Sequence, residues 1–289
     1  PMPVGGLFST AKDLARFYQM LANDGTLDGK RYLSKTSVDH MRTRQTPPES
    51  KGNYGCGCIV TPTSYRHMGS FGTAKNPVND CHEMVQVSDG RLFLLTNHKQ
   101  NNILIYNTKG DLVGHWTLGF SGAHGLSVGQ HEDGAEFLVI TDTSGKVVKT
   151  DLEGHVLLEL PSPITTGIYG PLNASAPTET AIAPNGDIYV ADGYGAQYIL
   201  RFDRTGKFIS RFGGRSTQPS NPGRFMQAHG VAIDLRGPEP LLVCTERVRN
   251  EFNWFTLEGQ HVRGVYLPGA YVSRPVIHGE NLYSGVCFG

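Results

Sequence analysis

Three histidines stand at the mouths of apolar runs: His82 in "DCHEMVQV", His124 in "GAHGLSVG" and His229 in "QAHGVAID". Neutral imidazoles suit zinc, and a catalytic zinc takes three protein ligands while leaving one position open for water or substrate. Histidines this far apart in the chain meet only if the strands that carry them are arranged around a common axis. The plainer alternative is that each histidine hydrogen-bonds a neighbouring repeat and rims a channel. Both readings need a repeated strand to position the ring.

From about residue 76 short β runs alternate with the turns "SDG", "TKG", "TSG", "PNG" and "RTG", with no long amphipathic helix between them. Four successive segments follow one plan, opening at "CHEMVQV", "AHGLSVG", "PTETAIAP" and "AHGVAID". Each continues through a turn, a second strand such as "LFLLTN" or "IYVADG", a third such as "ILRFD", and a last strand after a glycine turn. Repeats of this length with four strands predict propeller blades, whose first strands start at a central channel. On this alignment His82, His124, Thr178 and His229 share one place in their blades, and "RPVIHGENLYSGVCFG" begins a fifth blade. The expected fold is mainly β: an incomplete propeller, four full blades plus part of a fifth over residues 76–289, behind a small α+β segment at 1–73. An open ring leaves an unpaired edge, so the expectation is a longer native chain or an association-prone fragment.

In the N-terminal segment Ser9 or Thr10 is placed to cap "AKDLARFYQMLAND", where Leu14, Phe17, Tyr18 and Leu21 share a face and Gly25 suits the left-handed stop. A second helix, "KTSVDHMRT", follows Ser34 as its cap, and "YGCGCIV" with "SYRHMGSFG" reads as a strand pair. Cys56 and Cys58 offer a metal or redox pair, or simple packing in a glycine-rich strand. Five cysteines, an odd number, argue against a complete disulfide framework. Lysine plus arginine (26) equals aspartate plus glutamate (26), and no basic run is long enough to track phosphates, which argues against a nucleic-acid partner. No segment is apolar enough over a sufficient length to span a bilayer as a helix. The chain opens "PMPVGGLFST", as if inside a longer protein, so the compartment stays open.

The repeats resemble the NHL family of six-bladed propellers, in matches such as "APNGDIYVADGYGAQYILRFDRTGKFISRFG" and "GRFMQAHGVAIDLRG". Within that group "AHGLSV", "VADGYGAQYI" and "VCTERVRN" are similar to the amidating lyases that cleave peptidyl-α-hydroxyglycine. That resemblance implies a zinc held by histidines, with His124 and His229 as two ligands, Tyr194 as a catalytic tyrosine and Arg247 as a charge-holding arginine. A third ligand is expected beyond the end of this sequence. His82, one blade before His124, is a substitute only, being out of step with the alternate-blade spacing. The same fold without catalysis implies a scaffold whose loop face binds a peptide, polysaccharide or protein. The first 73 residues resemble the C-terminal end of β-lactamase-like serine hydrolases, with "RHMGSFGT" as their histidine-x-glycine strand. His67 and Gly69 would then edge an active site, and the Ser70 N–H would help hold an oxyanion. That resemblance places the family's nucleophile motif, serine-x-x-lysine, upstream of this segment.

Overall fold

The computed structural model describes residues 19–21, 23–42, 76–170, 174–218, 221–267 and 270–288. The chain divides into two compact units, Pro1–Gly69 and Ser70–Gly289.

In the first unit the expected helix ends where the sequence places its stop. Gly25 has φ +91° and its N–H reaches back to the Met20 carbonyl at 2.9 Å. Strands β1 (Thr26–Leu27) and β2 (Lys30–Arg31) form a hairpin over Asp28 and Gly29. Both turn residues have positive φ, 49° and 75°, as an Asp-Gly two-residue turn requires. Helix α1 (Lys35–Arg42) begins as expected, with the Ser34 hydroxyl accepting the Ser37 N–H at 3.0 Å. The start of the first helix, Cys56, Cys58 and the strand carrying His67, Gly69 and Ser70 lie outside the described residues.

The second unit is a β-propeller. Its first blade is β3 (Cys81–Gln86), β4 (Leu92–Thr96), β5 (Ile103–Tyr106) and β6 (Leu112–Trp116). The second is β7 (Ala123–Gln130), β8 (Glu136–Asp142), β9 (Lys146–Thr150) and β10 (Val156–Glu159). The third is β11 (Glu179–Ile182), β12 (Ile188–Ala191), β13 (Tyr198–Phe202) and β14 (Phe208–Gly213). The fourth is β15 (Ala228–Asp234), β16 (Leu241–Glu246), β17 (Glu251–Thr256) and β18 (His261–Tyr266). Every blade is an antiparallel meander in chain order. Two short pairs follow, β19 (Ala270–Val272) with β22 (Val286–Phe288) and β20 (Val276–His278) with β21 (Asn281–Tyr283).

The core lies between blades rather than at the axis. Phe93, Leu95 and Ile103 of the first blade pack on Leu126, Leu138 and Ile140 of the second. Phe137 and Val139 then meet Ile188 and Leu200, and Tyr189 and Ile199 meet Val231 and Leu242. A blade covered on both faces reads as a continuous apolar run, which is why all four residues of β5 and of β12 are buried. Phe93 and Leu95 are fully buried, and each such side chain stabilises the fold by roughly 2 kcal/mol. The outermost strands face water, and β18 is exposed throughout.

Candidate functional site

The inner strands are not regular at the end where the histidines sit. In β7 the pairing with β8 shifts between Ala123 and Leu126, and in β15 the pairing with β16 shifts between Ala228 and Val231. A bulge of this kind turns a side chain out of the ladder and leaves an amide without a strand partner. The partner strand supplies one: the Thr141 hydroxyl accepts the Gly125 N–H at 2.7 Å, and the Thr245 hydroxyl accepts the Gly230 N–H at 2.6 Å. The third blade has alanine, Ala191, where those threonines stand, pairs without a shift, and carries Thr178 in place of histidine.

The glycine after each histidine has a separate reason. A Cβ on Gly125 would stand 2.5 Å from the Thr178 carbonyl oxygen and 2.7 Å from Glu179 Cα, and one on Gly230 would stand 2.7 Å from Arg274 Cα. The next inner strand packs directly against that backbone. Gly125→Ala is therefore expected to destabilise the protein by about 1–3 kcal/mol in a urea titration, as overpacking does. Gly170→Ala, with nothing within 4 Å of its Cβ, is the unaffected control.

Four residues that the motif reading passed over hold the entry to each inner strand. Asn97, Asp142, Asp192 and Glu246, at the ends of the second strands, accept the N–H groups of Asp80, Gly122, Ala176 and Met226. Asp192 also takes the Ala196 N–H at 2.7 Å and the Tyr169 hydroxyl at 2.8 Å, which fixes the turn that presents Tyr194. Their signal in the sequence is one acidic or amide residue recurring after each "LLT", "VIT", "YVA" or "VCT".

These devices bring side chains of three blades to one point. The Tyr194 hydroxyl lies 3.2 Å from His124 Nε2 and 3.1 Å from His229 Nε2, and Arg247 Nη1 donates to it at 3.0 Å. The two imidazoles stand edge to face, with ring centroids 5.0 Å apart. His124 Nδ1 donates to the Thr178 carbonyl of the next blade at 2.8 Å, so its Nε2 presents a lone pair. The two expectations for these histidines therefore meet in one ring: His124 ties one blade to the next through Nδ1 and faces the site through Nε2. His229 Nδ1 is buried with no hydrogen-bond partner. Burial, reinforced by the nearby His82 ring, pushes His124 down to about 4. Burial and the Arg247 charge push His229 down to about 2. Both rings are neutral at physiological pH, the form that binds metal.

His82 does not share the place of the other two. Counted back from the equivalent pairs Glu83–Leu95, Leu126–Ile140, Thr180–Val190 and Val231–Cys244, the residues His124, Thr178 and His229 stand two before the pair, whereas His82 stands one before and Cys81 two. The bulge in β3 falls between Cys81 and Glu83, so the ladder, not the letter pattern, decides the position. The His82 ring nonetheless reaches the site, stacked on His124 with centroids 4.4 Å apart. Among the described residues no three His, Cys, Asp or Glu side chains are grouped to hold a metal. The donor set at this point is the two Nε2 atoms and the phenolic oxygen. His124 fits a metal ligand well, because its carbonyl-anchored Nδ1–H fixes ring and tautomer.

One layer deeper, the places that follow the histidines carry Gly125, Glu179 and Gly230, and Arg274 packs against the last of them. Into the space left by the glycines reach Glu179 and Arg274. Arg274 Nη1 pairs with Glu83 at 2.7 Å and donates to the Leu126 carbonyl at 2.9 Å, and its Nε stands 3.8 Å from Glu179. Burial, together with the hydrogen bond and charge of Glu83, holds the Glu179 carboxyl well above the usual range despite Arg274.

A family model described as Beta-lactamase matches residues 1–93, so its last part overlaps β3 and the start of β4. An uncharacterized protein of Mycobacterium tuberculosis is 55% identical over 47 residues, 16% of this chain and 12% of that protein. A probable peptidyl-α-hydroxyglycine α-amidating lyase of Caenorhabditis elegans is 28% identical over 111 residues, 38% of this chain and 30% of that protein. The chain thus spans less than a third of either curated relative. Among solved structures a streptogramin B lyase superposes with a TM-score of 0.52 at 17% identity, covering 71% of this chain and 61% of that one. That likeness is one of fold, the β-propeller. No described helix is long and apolar enough to cross a membrane.

Proposed function

We propose that residues 76–289 form an NHL-type propeller of six-bladed plan whose channel mouth is a zinc-dependent lyase site, acting on a peptide that ends in α-hydroxyglycine. Residues 1–73 are, on this reading, the C-terminal end of a β-lactamase-like serine hydrolase domain, and the Beta-lactamase match supports it. The observation that carries the lyase reading is the meeting of His124, His229 and Arg247 on the Tyr194 oxygen. Similarity to the nematode amidating lyase supports the substrate class.

Zinc held by His124 and His229 would supply a Lewis acid beside the substrate hydroxyl. The chain's own groups account for the proton. Arg247 donates to the Tyr194 oxygen and holds it in place, and Tyr194 as base accepts the proton of the carbinol hydroxyl. The carbon–oxygen bond becomes a carbonyl as the carbon–nitrogen bond breaks, and the departing amide nitrogen takes the proton that Tyr194 accepted. Products are a peptide amide and glyoxylate, and the atoms balance. Exposed Met226 and Val248, each within three residues of His229 or Arg247, give the peptide apolar contacts at the rim. The same rim serves the second reading, a non-catalytic scaffold for a peptide, polysaccharide or protein.

Zinc-loaded protein is expected to release glyoxylate from a blocked α-hydroxyglycine peptide, and Tyr194→Phe is expected to lower kcat about 100-fold or more, as loss of a general base does. Release no faster than in buffer, or a Tyr194→Phe variant as active as the parent, would favour the scaffold.

A further inference from the structure

At the far end of the same inner strands is a second, unrelated recess. The histidines sit at the start of β7 and β15, whereas Val128 and Gly129 near the end of β7, Ile182 at the end of β11 and Ile233 near the end of β15 line a cleft of about 820 Å³. Five residues of extended chain separate His124 from Gly129, about 16 Å. The cleft belongs to a different face from the lyase site, and its size is that of a small-molecule pocket.

Its walls are apolar for the most part, with Phe137, Ile182, Ile188 and Leu235 among them. Into this lining projects Lys149, from the third strand of the second blade. The residue is only 8% exposed, and its ammonium sits 3.7 Å over the Phe137 ring. Among the described residues it has no hydrogen-bonded or ionic partner for its side chain. Lysines are almost never buried without a counter-charge, because desolvating an ammonium is costly unless something anionic replaces the water.

The charges near it do not serve. Arg204 is ion-paired with Glu132 at the rim, and Asp133 is turned back on its own loop, accepting the Ala135 N–H at 3.0 Å. His131 packs at a tilt against Phe137, with ring centroids 4.7 Å apart. Burial lowers the Lys149 pKa, with no acid to oppose it. The blade packing therefore holds a cation against an apolar wall at the edge of the cleft.

We propose that this cleft binds a small molecule with an apolar body and one carboxylate, the carboxylate pairing with Lys149 and the body lying on Phe137, Ile182 and Leu235. The site is independent of the lyase reading, since it shares no residue with it.

Octanoate is the probe, with 1-octanol and octylammonium as neutral and cationic controls of the same length. Calorimetric titration of the full chain is expected to show octanoate binding at least tenfold more tightly than either control. Lys149→Met, which keeps the apolar contact with Phe137, is expected to weaken octanoate at least tenfold and leave octanol unchanged. Leu235→Asp alters an exposed residue and so leaves the fold intact. It is expected to weaken octanoate at least threefold through added negative charge. No octanoate binding, equal affinity for octanoate and octanol, or equal octanoate affinity in the parent and both variants would overturn the proposal.

Discussion

Replacing either His124 or His229 by alanine is expected to remove bound zinc. In elemental analysis after dialysis, about one zinc per chain in the parent should fall to near zero in both variants. Removing a residue that merely orients a ligand costs about 10–100-fold in metal affinity, and removing a ligand costs more. His82→Ala provides the internal scale. Its ring stacks on His124 but stands one residue off the shared register, so its loss should weaken zinc about tenfold without abolishing binding. Thermal unfolding of the His229→Ala variant should fall modestly, because the buried ring loses its contact with the Tyr194 hydroxyl while its Nδ1 anchors nothing. His124→Ala should be somewhat less stable, having lost the bond to the Thr178 carbonyl. Zinc content equal in the parent and both variants would reduce the "AHG" repeat to a structural feature of the blade.

The second large effect concerns Arg274. Removing one partner of a buried ion pair strands the other charge, which typically costs about 3–5 kcal/mol, and here two carboxyls depend on one guanidinium. Arg274→Ala should show a loss of that size in urea titration at neutral pH. Adding Glu179→Gln to it should change the loss little, since the raised Glu179 carboxyl already favours its neutral form and Glu83 is the charge left uncompensated.

The same pair sets a pH dependence. Glu179 has a folded pKa above its unfolded value, so the folded state binds the extra proton and is favoured at low pH. Its contribution is therefore lost as pH rises from the ordinary carboxylate range through the raised folded value. Glu179→Gln alone should flatten stability across that window while costing less than Arg274→Ala, because Arg274 keeps Glu83. A pH–stability curve identical in parent and Glu179→Gln would show that the carboxyl does not titrate with folding.

Much of the propeller is legible along the chain, because its determinants are local. Apolar runs of four to seven residues, glycine turns and a repeat of constant plan mark all four described blades and the beginning of the fifth. Gly25 and Ser34 mark helix ends for the same reason: a positive φ or an amide needing a cap is a property of a few adjacent residues. The paired "AHG" motifs likewise put His124 and His229 at the channel. The threonine that satisfies each bulge, Thr141 or Thr245, stands in the sequence too, but only the ladder shows what it does.

What the tertiary structure decided is every relation that depends on how blades meet. His82 aligns by letter with His124, yet the ladder puts Cys81 in that place and His82 one residue later, and no repeat pattern records strand register. The meeting of Tyr194 and Arg247 over the two imidazoles was implied only by family resemblance; the ring's curvature brings the three blades together. Nothing in the neighbourhoods of Glu83, Glu179 and Arg274 along the chain signals burial. They pair because Gly125 and Gly230 leave room across the axis. The burial of Lys149 follows from the third blade closing over the second. Sequence periodicity encodes which face of a strand is apolar; which distant face covers it is settled only when the sheets pack around a common axis.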